Sequence, residues 1–217
     1  MTAWHHPPTR AAWTLHLVFG VAGTVAWAAV QAGVLVLALA APVWTVWLLL
    51  PCLLYALYRF VLQVSRVPWA FRMRRVLRHY PWQFLEGVPR GLARHPRATD
   101  DGMWFEFPDP VGGEDNIPLV FLNHHRAHWW LKRIGGPRTS PHLTAQLTPL
   151  WFAGDPRFLG VVAVGGRSGP RRLHLLYQRP ALDRRCAPGS WGATPVDLDR
   201  ARRAGALVPA APPRRDP

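Results

Sequence analysis

"VQAGVLVLALAAPVWTVWLLLPCLLYALYR", residues Val30–Arg59, decides the architecture of this chain, because it either crosses a membrane or fills a protein core. The apolar region extends beyond this segment, since no Asp, Glu, Lys or Arg occurs from Ala11 to Tyr58. One helix of about 48 residues would be roughly 72 Å long, more than twice the ~30 Å of bilayer hydrocarbon. The length therefore predicts two membrane crossings rather than one.

A proline within the stretch indicates where the chain turns back. Proline disfavours helical geometry in the residue before it and suits the first turn of a following helix, so Ala41-Pro42 predicts the turn. We place the spans near Trp13–Ala40 and Val43–Leu62, within a transmembrane helical hairpin at 13–64. Small residues on the first span either allow close helix packing or reflect an alanine-rich composition: Gly20, Gly23, Ala26, Ala29 and Gly33.

Arginines flank the outer ends of the hairpin and avoid its turn. Arg10 precedes the first span, and six more crowd the end of the second: Arg59, Arg66, Arg72, Arg74, Arg75 and Arg78. The positive-inside rule predicts a multi-pass protein of the bacterial plasma (inner) membrane with both termini cytoplasmic, so that 1–12 is a short cytoplasmic N-terminus. Ala38-Leu39-Ala40 has the form of a signal-peptidase site, but its apolar region is longer than the about 7–15 residues of such signals.

The chain carries a net charge of +14. This balance attracts nucleic acid, an anionic membrane surface or an acidic partner. Arginine accounts for it almost alone, since Lys132 is the only lysine, and a GC-rich genome explains the same bias. Cys52 lies in the apolar stretch and Cys186 in the polar tail, so we expect two free thiols rather than a disulfide.

A basic amphipathic juxtamembrane helix is predicted at 65–80. Its apolar residues recur at helical spacing: Trp69, Met73, Val76, Leu77 and Tyr80. Four arginines fall off this stripe: Arg72, Arg74, Arg75 and Arg78. We predict that these four contact the anionic headgroups of the lipid bilayer, each contributing about 1 kcal/mol. The alternative is that the stripe packs onto the following domain and leaves the arginines in solvent.

Residues 81–179 predict a small α+β domain, mostly antiparallel β, on the cytoplasmic side. Five strands are indicated by apolar segments between turn clusters: Met103–Phe107, Ile117–Leu122, Pro149–Ala153, Phe158–Val164 and Arg172–Tyr177. A helix is predicted at Asn123–Ile134 and docks on the sheet through Trp130 and its apolar neighbours. Apolar periodicity then ends, so 180–217 is predicted to be a disordered tail.

Histidines give the only spacing that suits a metal. His124 and His128 lie at i and i+4, with His142 as a third ligand. No carboxylate follows nearby to complete the set, and Lys132 would repel a cation. We therefore predict no metal site, and also no cofactor and no catalytic residue.

Other motifs in the sequence predict turns rather than chemistry. The acidic pairs Asp100-Asp101 and Glu114-Asp115 fall among turn residues, where carboxylates usually cap or face solvent. "GGRSG", Gly165–Gly169, lacks the Lys-Ser/Thr of a phosphate loop and precedes a strand, so it predicts a hairpin turn.

The segment "WFAGDPRF", Trp151–Phe158, is the strongest candidate for a binding role. Asp155-Pro156 predicts a turn between two strands and leaves Arg157 at its tip. Asp155 and Arg157 are thereby predicted to bind an anion or a protein partner's carboxylate. The alternative is that the motif only bends one hairpin around packed aromatic side chains.

Two stretches resemble a known group of proteins. "RRVLRHYPWQF" at Arg74–Phe84 and "LWFAGDPRFLGVVAV" at Leu150–Val164 are similar to small two-span membrane proteins of GC-rich actinobacteria, a group without an assigned function. The resemblance implies a bacterial plasma membrane and carries over no catalytic residues.

These observations predict a membrane-anchored cytoplasmic binding, regulatory or scaffold module. Its expected partners are the bilayer and either a protein partner or a second copy of the chain. The first alternative is a membrane-tethered enzyme with a site near Asp155 and Arg157. A small oligomeric transport component is a lesser alternative, because two uncharged spans give no ion path alone. Nucleic-acid binding through the arginines and tryptophans is also a lesser alternative. It ranks low because no recognisable nucleic-acid-binding module is present in the sequence.

Overall fold

The computed structural model describes residues 1–91, 103–110, 112, 116–121, 128–134, 139–166, 169–184 and 191–209. The chain divides into two compact units. The hairpin unit is Trp13–Phe71, and the sheet unit combines Met1–Ala12 with Arg72–Pro217. The predicted short N-terminus therefore belongs to the folded sheet unit: the amide of Ala3 donates to the carbonyl of Tyr80 at 2.8 Å.

Two long helices dominate the hairpin unit. α1 spans Pro7–Ala40, and a short 3-10 turn at Val43–Thr45 leads into α2, Val46–Val64. The interruption falls at Ala41-Pro42, as predicted, because the proline ring does not allow the first helix to continue. α1 begins earlier than the predicted span, at a proline that suits the first position of a helix.

The helices of the hairpin carry an apolar surface. α1 and the helical stretch Val43–His79 are each long and apolar enough to cross a membrane. Large side chains on them are exposed, among them Val36, Leu39 and Trp47, the last two at 88% and 76%. Soluble proteins rarely expose contiguous apolar surface of this extent, so these two helices support a membrane location.

Within the hairpin unit, α1 lies directly against α2. The rings of Trp27 and Tyr55 meet edge to face with centroids 5.7 Å apart, and the Arg59 guanidinium lies 5.2 Å from the Trp27 ring centroid. At Gly23 the approach is closer, since an added Cβ would lie 2.8 Å from Cδ of Gln63. Glycine at this position therefore permits the close contact of the two helices.

Within the residues that the structure describes, the sheet unit contains a seven-stranded antiparallel sheet. The strands are β1 Gln83–Leu85, β2 Arg90–Gly91, β3 Met103–Phe107, β4 Ile117–Phe121, β5 Leu150–Asp155, β6 Leu159–Gly166 and β7 Gly169–Tyr177. Their order across the sheet is β1-β5-β6-β7-β4-β3-β2. The five predicted strands, β3 to β7, are confirmed. β1 and β2 are additional edge strands, too short to show an apolar period in the sequence.

Aromatic side chains fill the core on one face of this sheet. Phe107 stacks on Phe152 with ring centroids 4.2 Å apart, and Phe105 meets Trp130 edge to face at 6.1 Å. Trp130 and Ile134 are buried, so the predicted docking of that segment is confirmed. Its described helical part is α4, His128–Leu131, while 122–127 lie outside the described residues. α3, Arg66–His79, confirms the predicted helix at this position, while its location beside a membrane stays a prediction, and α5, Pro141–Ala145, was not predicted.

The prediction of a disordered tail from residue 180 is wrong for residues 195–204, which form α6, Pro195–Ala204. Thr194 and Asp197 form a reciprocal capping box at its start, and Gly205 ends it in the left-handed conformation at φ 96°. Ala201 and Ala204 are buried. Because the buried residues of this helix are small alanines, the sequence shows no recognisable apolar stripe, and the helix was not predicted. Residues 185–190 and 210–217 lie outside the described residues.

Candidate functional site: a cavity beside an Asp-Arg-Asp cluster

The turn between β5 and β6 places Arg157 inside the sheet unit. Its side chain is 3% exposed, and Asp155 is almost as buried. Arg157 therefore lies in the predicted turn but is buried, and binding of an anion or a protein partner's carboxylate by Asp155 and Arg157 stays a prediction. A buried guanidinium is tolerated where carboxylates pair with it and accept its hydrogen bonds, and the chain provides two.

Asp155 is the first of these carboxylates. Arg157 Nε donates to Oδ1 at 2.9 Å and Arg157 Nη2 donates to Oδ2 at 2.7 Å, a two-point contact. The backbone amide of Arg157 also donates to Oδ1, at 3.0 Å. Such a fork of two parallel bonds fixes the direction of the guanidinium as well as neutralising it.

Asp197, on α6, is the second carboxylate. Arg157 Nη2 also donates to Asp197 Oδ2 at 3.1 Å. Thr194 donates to the same oxygen through its hydroxyl at 2.9 Å, so the capping box and the ion pair share one atom. Because Asp197 lies in the segment predicted to be disordered, sequence reasoning missed it. An acidic residue three positions after Thr194, with Pro195 at the first position of the helix, was the available signal.

These contacts shift the ionisation of both side chains toward the charged forms. Hydrogen bonding to Asp155 raises the pKa of Arg157, against an opposing effect of burial. Burial alone would raise the pKa of Asp197, but hydrogen bonds from Thr194 and Arg157 outweigh it and hold the pKa below its ordinary value. Arg157 and Asp197 are thus held in their charged forms near neutral pH.

A cavity of about 430 Å³ opens beside this cluster. Its apolar wall includes Leu85, Phe107 and Phe152. The polar lining comprises Tyr80, Gln83, Asp109, Asp155, Arg157, Thr194, Asp197 and Arg200. This volume and this mixture of apolar wall and convergent polar groups are typical of small-molecule binding sites in proteins.

Tyr80 places a phenol in the lining of the cavity. Burial first, and then the charge of Asp155, raise the pKa of Tyr80, so its hydroxyl stays protonated at neutral pH. Arg200 lies above the same ring, with Cζ 5.9 Å from the centroid. The cavity therefore combines a neutral hydroxyl, carboxylate oxygens and one guanidinium that the Asp155–Arg157 pair does not neutralise.

The predicted membrane-surface arginines lie on α3, whose apolar stripe is buried at Met73, Val76 and Leu77. Two of them contact an aromatic ring of the N-terminus: Cζ of Arg74 and of Arg78 lie 5.1 and 5.7 Å from the Trp4 ring centroid. Arg75 and Arg78 are exposed, and Arg72 and Arg74 are half-buried. The packing alternative thus accounts for the stripe, and headgroup contact by the four arginines stays a prediction.

Several sequence candidates are not brought together with the cavity. His128 and His142 are exposed, and His124 lies outside the described residues. Across the described part of the chain, no three His, Cys, Asp or Glu side chains form a group that could hold a metal ion. Cys52 is a free, exposed thiol. Cys186, Asp100-Asp101 and Glu114-Asp115 also lie outside the described residues.

Comparison of the chain with protein-family models, curated proteins and solved structures finds no match.

Proposed function

We propose that this chain is a two-span protein of the bacterial plasma membrane whose cytoplasmic sheet unit binds a small polar molecule in the cavity beside Asp155, Arg157 and Asp197. The cavity carries the proposal, because its size and its mixed lining suit a ligand with one apolar side and several hydrogen-bonding groups. The two long apolar helices support the membrane part, and the arginines at both ends of the hairpin support cytoplasmic termini.

The geometry favours binding over the enzymatic alternative at Asp155 and Arg157. A general acid or base works best with a pKa near the working pH, whereas ion pairing keeps Asp197 and Arg157 charged. The hydroxyl of Tyr80 is also held in its neutral form. These groups can orient a ligand through fixed donors and acceptors, which is the task of a binding module.

Ligand retention tests the cavity. The full-length protein is purified from native membranes in a neutral detergent and denatured, and the released small molecules are identified by mass spectrometry. Gln83→Trp should close the cavity, because Gln83 lines it from β1 and a strand accommodates tryptophan well. Glu86→Trp is the matched control, since Glu86 is exposed nearby and does not line the cavity.

We expect a compound that is retained by the parent chain and by Glu86→Trp and is lost from Gln83→Trp. Equal retention by the two tryptophan variants, or a parent chain that releases nothing, would count against the cavity as the binding site. The membrane part of the proposal is tested separately, by cysteine labelling in intact cells.

A further inference from the structure

Two arginines of the sheet unit lie against the same indole ring, away from the cavity. Cζ of Arg133 and of Arg172 lie 4.1 and 4.6 Å from the ring centroid of Trp129. Both cations are therefore within a Debye length of each other, about 10 Å in 0.1 M salt, and they repel. Burial and the charge of Arg133 lower the pKa of Arg172.

No carboxylate of the described residues neutralises this pair. Arg133 is oriented by neutral acceptors: Nε donates to Gln146 Oε1 at 2.8 Å and Nη1 donates to the carbonyl of Trp129 at 3.1 Å. The ion pairs formed by the described residues involve other arginines. The neighbouring Lys132 is exposed and adds a third positive charge. Arg133 and Arg172 differ in this respect from Arg157, whose positive charge is paired with two aspartates.

The backbone at Arg172 is specialised for its position. The pairing of β6 with β7 shifts between Val162↔His174 and Val164↔Arg171, so that Arg172 and Leu173 together lie opposite Ala163. This is a β-bulge, a device that redirects a side chain and occurs often beside functional sites. Arg172 adopts φ 53°, a left-handed conformation that glycine ordinarily occupies.

An arginine at this position requires a reason, because glycine would form the bulge without steric cost. Packing on Trp129 is a weak reason, since Arg133 already lies against that ring at a shorter distance. A second guanidinium adds repulsion unless an anion lies between the two. A tetrahedral anion has enough oxygens to accept both from Arg172 and from Nη2 of Arg133, whose Nε and Nη1 donate to Gln146 and Trp129.

We propose that Trp129, Arg133 and Arg172 form a binding site for a phosphate group, in which the two guanidinium groups donate to the phosphate oxygens. A membrane lipid headgroup and a soluble phosphate compound present the same chemistry to this site. The site is separate from the cavity, and it does not depend on what the cavity binds.

Calorimetric titration of the full-length protein in a neutral detergent tests this site. One arm uses inorganic phosphate and the other uses dioctanoyl phosphatidic acid, both at constant ionic strength set with chloride. Arg172→Gly removes one guanidinium while restoring the residue that suits the left-handed backbone, and Arg133→Gln removes the other. Arg202→Gln is the control, because Arg202 is an exposed arginine of α6 that contacts Asp199 and the carbonyl of Pro209.

We expect Arg172→Gly to weaken phosphate binding at least about ten-fold, the loss of a charge-assisted contact, without lowering the thermal unfolding midpoint. A purely structural Arg172 would show the reverse pattern, with unchanged binding and a lower midpoint. Arg133→Gln should also weaken binding, and Arg202→Gln should leave it unchanged.

The two arms distinguish the sources of the phosphate group. Similar affinities for both probes support a soluble phosphate compound, and a preference for phosphatidic acid that both arginine variants abolish supports a lipid headgroup. The proposal is overturned if neither probe binds above the chloride background, or if both variants bind as the parent chain does.

Discussion

Arg157 and Asp197 are forty positions apart in the sequence, and a 3.1 Å contact between Nη2 and Oδ2 joins them. This contact attaches the C-terminal helix α6 to the turn between β5 and β6. Because Asp197 also accepts from Thr194 in the capping box, one carboxylate both starts the helix and fixes its position on the sheet unit.

Asp197→Ala should destabilise the sheet unit by about 1–2 kcal/mol, because it removes part of the helix cap together with an ion pair that solvent partly screens. The matched control is Asp199→Ala on the same helix, whose contacts with Arg202 and Arg203 are exposed. It should cost about 0–0.5 kcal/mol. Chemical unfolding followed by tryptophan fluorescence measures both variants. Equal losses would show that the contact with Arg157 contributes nothing.

Arg157→Met should be more damaging, at about 3–5 kcal/mol, because it leaves the carboxylate of Asp155 buried without its guanidinium. Adding Asp155→Asn should recover part of this loss, since a neutral amide costs less to bury and still accepts from the backbone amide. Unfolding midpoints of the single and double variants give the comparison. A double variant no more stable than Arg157→Met alone would contradict a charge-based explanation.

Acid should weaken the contact that Asp197 on α6 makes with Arg157. The pKa of Asp197 is lower in the folded protein than in the unfolded chain, so its stabilising contribution is complete above the unfolded value of about 3.9. As the pH falls through the folded pKa, that contribution is lost. The stability difference between the parent chain and Asp197→Asn should therefore be constant from about pH 5 to 7 and shrink below about pH 4. A difference that grows on acidification would contradict this sign.

The hairpin unit offers a matched pair of glycines on one helix. Gly23→Ile should separate α1 from α2, because the new side chain meets Gln63, at a cost of about 1–3 kcal/mol for overpacking. Gly33→Ile should be tolerated, since no described atom outside the neighbouring backbone of the same helix lies within 4 Å of an added Cβ there. The readout is disulfide cross-linking of Trp27→Cys with Tyr55→Cys, in a chain that also carries Cys52→Ser. Similar yields for both isoleucine variants would contradict close packing at Gly23.

Prediction from sequence succeeded where a single local property decides the structure. The absence of charge from Ala11 to Tyr58 and one proline were enough to locate the two apolar helices and the turn between them. Apolar segments bounded by turn residues were enough to predict β3 to β7, because each of these strands is long enough to show its apolar pattern in the sequence. β1 and β2 were missed because two or three residues define no period.

The candidate site was only partly predictable, for a physical reason. The motif at Asp155 and Arg157 was recognised, but its burial depends on Asp197, a partner that no local pattern connects to it. Likewise, the left-handed backbone of Arg172 follows from the register of β6 against β7, which the identity of the residue alone does not reveal. Contacts between distant parts of the sequence therefore determine both the burial of Arg157 and the backbone conformation of Arg172. The prediction of a disordered tail after residue 180 also concealed Asp197 as a partner of Arg157.

Cysteine labelling in intact cells tests the central proposal, a membrane hairpin with the sheet unit in the cytoplasm. Cys52→Ser and Cys186→Ser remove the native thiols, and Ala41→Cys in the turn or Val196→Cys on the exposed surface of α6 supplies a single new one. A membrane-impermeant maleimide should label position 41 in intact cells and position 196 only after the cells are permeabilised. Labelling of position 196 in intact cells, with position 41 protected, would contradict the account.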